Sequence, residues 1–269
     1  MSGIELPRPG FARPDFSRRG LITAGTLALG GVALSSCDQL SRSPGFLNKI
    51  GAAESVTLNV QRLLLSAKPL AREFSARDIS PTFKANGSLM PSDDDYQAAL
   101  SNGFRDWSLK VDGLVNRPLS ISMAQLKAMP ARTQITRHDC VEGWSAIAGW
   151  TGIQLGRVLQ AAGLKPNARY VVFHCADDLE PSLDGSGRYY ESIDLVDAFH
   201  PQTILAYAMN GQPLAVPHGA PIRLRVERQL GYKQAKYVMR IEVVDRFDKM
   251  GGGKGGFWED RGYEWYAGI

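Results

Sequence analysis

Arg137-His138-Asp139-Cys140-Val141-Glu142-Gly143-Trp144-Ser145, with Trp150 close behind, is the stretch on which the reading of this 269-residue chain turns. It sets a thiol, a carboxylate and an indole within five residues. Read by itself, Cys140 is more often a small buried core residue than a ligand, and His138 a strand-end histidine. The competing reading is a soft metal ligand, since a thiolate suits a soft or redox-active metal. The chain has three cysteines, Cys37, Cys140 and Cys175, too few for a disulfide framework. Cys140 and Cys175 could close one bridge in an oxidising compartment.

Outward from this stretch the chain alternates strands with short helices. Trp107 to Val115 alternates apolar and polar residues as a half-buried strand does, and Ser122 to Met129 and Gln154 to Ala162 are short helices, the second stopped by Gly163. Tyr170 to His174 is a buried strand, Ser192 to Phe199 a short helix, and Ile204 to Met209 a strand running into a turn at Asn210-Gly211. Strands follow at Pro221 to Glu227 and Lys236 to Val244. Before the deciding stretch, Glu54 to Leu65 has helical periodicity, Ile79 to Gly87 reads as an irregular loop and Asp93 to Asp95 as an acidic turn. Without a strict β-α-β rhythm, the class is α+β rather than a doubly wound sheet. No Gly-x-Gly-x-x-Gly opens a helix, and Gly251 to Gly256 lacks the Ser or Thr of a phosphate-binding loop, so that run reads as a flexible tether.

Three ordered motifs then point one way. The first is Cys140-Val141-Glu142-Gly143-Trp144-Ser145. The second runs from Asn210-Gly211-Gln212-Pro213-Leu214 to His218-Gly219-Ala220-Pro221-Ile222-Arg223, and the third is Gly231-Tyr232-Lys233-Gln234-Ala235-Lys236. With the aromatic end from Gly255 to Ile269, they resemble the sulfite-oxidase-like molybdopterin-binding family, especially its small bacterial members related to the methionine sulfoxide reductase catalytic subunit. The resemblance covers roughly residues 54 to 269. It implies one mixed α/β domain of the sulfite-oxidase type, with no haem domain and no C-terminal immunoglobulin-like dimerisation domain.

The resemblance also implies a cofactor, molybdenum-molybdopterin, with Cys140 as the protein ligand to the metal. The physical sense is that one thiolate anchors a metal whose other sulfurs come from the pterin, leaving positions open for oxygen-atom transfer. His218, Arg223, Gln234, Ala235 and Lys236 fall where the family binds the pterin, and Cys175 falls where reductase relatives place a threonine that touches it. An arginine fork and a lysine point charge suit phosphate oxygens. Ser80, Phe83 and Lys84 depart from the relatives' Asn-x-x-Tyr-Glu, yet the loop with Phe83, Lys84 and Asn86 is expected to line the cofactor. Glu142, two residues beyond the ligand, has two readings: a buried carboxylate with raised pKa that moves a proton in catalysis, or a structural carboxylate paired with a nearby arginine.

The expected activity is oxygen-atom transfer on a small oxide or oxyanion, more in the direction of sulfoxide reduction, because sulfite oxidation wants several cations around its anion and the Cys140 motif offers carboxylate and indole. Sulfite dehydrogenase-type oxidation, a thiol hydrolase using Cys140 with His138, and a cofactor-free lipid-anchored binding protein are the other readings. The absence of a Cys-x-x-Cys-His haem motif makes electrons pass through a separate protein, for which the resemblance offers a membrane haem subunit.

The amino end addresses the protein. Ser17-Arg18-Arg19-Gly20-Leu21-Ile22 places paired arginines before an uncharged stretch to Ser36, the order of a twin-arginine signal. Leu34-Ser35-Ser36-Cys37 resembles a lipobox. The expectation is a signal over residues 1–36, a lipidated Cys37, a tether over 37–53, and a periplasmic enzyme held at the membrane surface. Without residues 1–36 the net charge falls from +4 to +2 with no clustered basic run, which excludes the footprint of a nucleic-acid partner.

Overall fold

The run of strands resolves, in a computed structural model that describes residues 69–180 and 187–269, into two antiparallel-rich sheets joined by short helices. The signal, the lipobox at Cys37, the tether and the helix expected at Glu54 to Leu65 lie outside the described residues.

Helix α1, Asp94–Ser101, opens the succession: Asp93 is its N-cap, its carboxylate accepting from the Tyr96 amide. The acidic turn expected there is thus a cap and the first turn of a helix, where carboxylates favour the N-terminal end of the dipole. Strands β1 (Ser108–Gly113) and β2 (Leu119–Ser122) lead to α2 (Met123–Ala128), whose start is a capping box between Ser122 and Gln125. Next come β3 (Ala131–Asp139), β4 (Ser145–Gln154) and α3 (Leu155–Ala162), which Gly163 ends with φ of 68°.

The second half holds β5 (Tyr170–Asp178), β6 (Arg188–Asp194), α4 (Leu195–Ala198), β7 (Ile204–Met209) and β8 (Gln212–Pro213). It ends with β9 (Arg223–Arg225) and β10 (Val238–Val244). The helix expected from Ser192 shrinks to α4, because Ser192 to Asp194 pair with β5 and Asp194 serves as the N-cap. Asn210 and Gly211 both carry positive φ, 50° and 78°, the type I′ geometry that joins β7 to β8.

One sheet has the order β2-β1-β10-β5-β6, with β1 and β10 parallel and the other pairs antiparallel. The other runs β3-β4-β7-β8, with β9 also on β7. The main core gathers Leu109, Val111, Phe173, Ile193 and Ile241 of the first sheet with Leu155, Val158 and Leu159 of α3. Each of these side chains is fully buried, a contribution of about 1.5–3 kcal/mol apiece. A smaller cluster around Trp150, Ile204 and Ala206 lies on the second sheet, with Phe83 packed against it.

The glycine run near the C-terminus is ordered rather than a flexible tether. Asp260 accepts from the Gly252 and Lys254 amides and from the Tyr190 hydroxyl, which fastens the run to β6.

Candidate active site

Cys140 sits in the turn that joins β3 to β4. Its amide donates to the Trp144 carbonyl at 3.0 Å and its carbonyl accepts from the Gly143 amide at 3.0 Å, Gly143 having φ of 84°. The hairpin therefore fixes the thiol at a sheet end, the position at which chemistry is commonly mounted on a rigid scaffold. Cys140 and Cys175 are both free, so no bridge joins them.

A loop from Ser80 to Ser88 closes over this turn. Ser80 anchors it, its amide donating to the Ile147 carbonyl and its hydroxyl accepting from the Ile147 amide. Phe83 then inserts among His138, Trp144, Trp150 and His218, with ring centroids 5.4 to 6.1 Å away. Asn86 donates from its side-chain nitrogen to the Cys140 sulfur at 3.1 Å. Lys84 and the Trp144 indole both donate to Glu142, at 3.1 and 3.0 Å.

Facing this wall is a cationic one. The Val216–His218 turn and Gly219 place the His218 carbonyl so that Arg223 donates to it at 3.1 Å, while a second Arg223 nitrogen donates to the Gln234 carbonyl. A side chain at position 219 would meet Lys236 Cβ at 2.9 Å and Arg223 Cβ at 3.2 Å, so glycine lets the two basic stems converge. Lys236 donates to the carbonyls of Pro217 and Ser88.

Between the walls lies a cavity of about 240 Å³. It brings together Phe83, Lys84, Asn86, Cys140 and Glu142 from the first wall with His218, Arg223, Gln234, Ala235 and Lys236 from the second. Cys175 is the expected residue it leaves out: its sulfur is in the main core, with the Phe173 carbonyl 4.0 Å away, and burial pushes its thiol pKa well up. Glu142 is not the buried carboxylate of the proton-transfer reading. Its side chain is 47% exposed, and hydrogen bonds from Trp144 and Lys84 hold its pKa below the usual range.

The sequence reading missed part of the lining. His138, Asp177, Tyr189, Trp258 and Tyr263 also face the cavity. His138 is 4% exposed, and desolvation, then Arg225 and Arg223, hold its pKa well below the ordinary histidine value. Asp177, at the end of β5, has its pKa pushed up to about 7 by burial. A polar residue three positions past the predicted strand gave no periodic signal for either outcome. Beneath the cavity Lys233, fully buried, donates to Glu191 and Glu259 at 2.5 Å each and so braces the segment that carries Gln234 and Lys236.

The electrostatics suit an anionic, hydrogen-bonding ligand. Burial and the neighbouring Arg225 lower Arg223 to about 9, and burial and Arg223 lower Lys236 to about 8, so for both cations desolvation and like charge outweigh the nearby carboxylates Glu227 and Asp177. Arg223 Nε, Gln234 Oε1 and Asp177 Oδ1 are buried without a hydrogen-bond partner. Orphaned polar atoms of both kinds on a cavity wall call for a ligand with donors and acceptors. A phosphorylated pterin has both, and the thiol of Cys140 supplies the soft ligand its metal wants, so the residues present fit molybdenum-molybdopterin.

Comparison with known proteins agrees. The family model for the oxidoreductase molybdopterin binding domain matches residues 97–250. A relative from Azospira oryzae that bears the name of a protein-methionine-sulfoxide reductase subunit, YedZ1, is 34% identical over 98% of this chain and 89% of that protein. The protein-methionine-sulfoxide reductase catalytic subunit MsrP of Campylobacter jejuni is 29% identical over 73% of this chain and 71% of its own length. The MsrP of Xanthomonas campestris is 36% identical over 57% of this chain, which spans 49% of that protein. Among solved structures, the sulfane dehydrogenase SoxCD of Paracoccus pantotrophus matches 53% of this chain and 39% of its own at 24% identity and a TM-score of 0.47. On the family model that matches more than half of its length and the Azospira oryzae relative, the chain belongs to the oxidoreductase molybdopterin-binding domain family, a sulfite-oxidase-like α+β enzyme whose cofactor is molybdenum-molybdopterin.

Proposed function

We propose that this oxidoreductase reduces a sulfoxide, with the oxygen leaving as water after uptake of two electrons and two protons. The observation that carries the reading is the charge at the mouth of the cavity. Lys84 lines the cavity with Cys140, and Glu142 neutralises it at 3.1 Å. Phe83 and the 43% exposed Val141 give the cavity apolar surface beside this pair. An uncharged sulfoxide loses little on entering such a mouth, whereas the sulfite dianion would give up hydration without gaining paired donors.

When bound, the cofactor supplies two-electron redox chemistry and the site of oxygen transfer. Cys140 would hold the metal, and Arg223 and Lys236 would neutralise the phosphate. Gln234, Ala235 and His218 would contact the pterin. Phe83 and Trp144 keep water from the sulfur side, and the Glu142–Lys84 pair orients the approach of substrate.

The reading extends to placement. A twin-arginine signal over residues 1–36 fits an enzyme that folds around its cofactor before export, and lipidation of Cys37 would tether it in the periplasm near a membrane-bound electron donor, for which a haem subunit is the partner of choice. The relatives' names support the substrate class.

Purified holoenzyme with a reduced viologen dye as donor tests the direction. Oxidation of the dye on addition of free or peptide methionine sulfoxide, with no turnover of sulfite under an artificial acceptor, is the expected result. Sulfite oxidation without sulfoxide reduction would overturn it.

A further inference from the structure

His138 is two residues from Cys140 and is the cavity-lining group with the most elaborate support. Its Nδ1 is 3.0 Å from Arg225 Nη1. A guanidinium can only donate, so Nδ1 must be the acceptor, and the ring's single proton is left on Nε2. Arg225 in turn is held on the other side by Glu227, at 2.9 and 2.6 Å, and Glu227 accepts from Gln134 at 3.0 Å. Arg225 and Glu227 are fully buried side chains, and Arg225 also lies 4.3 Å from the Trp150 ring centroid. Burying an ion pair is expensive, and this one fixes the tautomer and the plane of the imidazole.

The Nε2 edge is kept open. A side chain at Gly231 would lie 2.5 Å from Nε2 and 2.6 Å from Cε1, so glycine is required for the edge to face the cavity that both residues line. Gln234 looks onto the same edge without closing a hydrogen bond of good geometry, its Oε1 remaining without a partner. A buried N–H that the protein orients and leaves open is a donor waiting for a ligand.

We propose that His138 is a cofactor-contacting residue of this enzyme: its Nε2–H, fixed by Arg225 and Glu227 as positioning residues, donates to the sulfur shell of the bound molybdenum cofactor and raises its reduction potential. Hydrogen bonds to metal-bound sulfur favour the more electron-rich state, the direction of the shift. The inference rests on the cofactor assignment and not on the substrate.

Two substitutions separate the ring's two nitrogens. His138→Asn keeps an acceptor where Nδ1 stands and removes the donor; His138→Gln places an amide N–H near the Nε2 position. Holoenzyme of each, from a cofactor-competent host, is measured for molybdenum by elemental analysis and titrated potentiometrically with the Mo(V) electron paramagnetic resonance signal as readout. The expected result is a midpoint shifted to more negative potential and an altered signal in His138→Asn, with His138→Gln close to wild type. Wild-type behaviour of His138→Asn, or an equal change or equal loss of metal in both variants, would overturn it. Absence of molybdenum from the wild type would instead sink the cofactor assignment, so the two failures are distinguishable.

Discussion

The side-chain nitrogen of Asn86 lies 3.1 Å from the sulfur of Cys140, a contact between residues 54 positions apart in sequence. It ties the loop that carries Phe83 and Lys84 to the turn that carries the thiol, and it makes Asn86 a neighbour of the proposed metal ligand. Donors in that position orient the ligand and set its electron density, and their loss typically costs about 10–100-fold in metal affinity or activity. Asn86→Ala is therefore expected to fold, to keep most of its molybdenum, and to lose activity in that range. Cys140→Ser, by contrast, should lose most of the metal itself. Parallel metal analysis and turnover measurements check both; equal metal loss in the two variants would place Asn86 among the ligands' essential supports.

Glu142 bears on where the protons come from. Its carboxyl pKa is lowered by Trp144 and Lys84, so it is ionised throughout the range from about pH 5 to 8 in which most enzymes are assayed. A group that does not titrate there cannot give the rate profile a limb. In Glu142→Gln the limbs of the pH–kcat profile should stay in place while KM changes, because the variant leaves Lys84 charged and unpaired at the mouth. A limb that moves or disappears would restore the proton-transfer role to this residue.

Much of the fold was legible because its helices and several strands carry apolar periodicity. Ile204 to Met209 is read to the residue, and α3 stops at the expected Gly163. The hairpin that presents Cys140 was not read, for a physical reason. Its first strand turns Gln134, Thr136 and His138 inward, so the buried face is polar, and its second is buried on both faces around Gly149 and Gly152, which removes the alternation. Most of the expected residues that line the cavity were legible only through motif order, since Arg223 alternates with apolar neighbours as a solvated strand residue would, yet is 4% exposed. His138 escaped because its significance lies in Arg225, 87 residues away, and Cys175 was placed by correspondence whereas the pleat of β5 turns it into the core.

Asp177 gives a pH dependence whose sign can be worked out. Its folded-state pKa is about 7 against an ordinary value of 3.8, because burial disfavours the charged form more than Lys236 favours it. Between these values the native state holds a proton that the unfolded chain releases, so stability falls as pH rises from about 4 to 7, and above 7 the native state carries the full penalty of a buried carboxylate. Asp177→Asn removes that titration. Cofactor-free Asp177→Asn should match wild type near pH 4 and exceed it by on the order of 2 kcal/mol near pH 8 in denaturant unfolding. A difference between the two proteins that does not change with pH would mean that Asp177 is already ionised and paired in the native state, and that its orphaned oxygen is satisfied by Lys236.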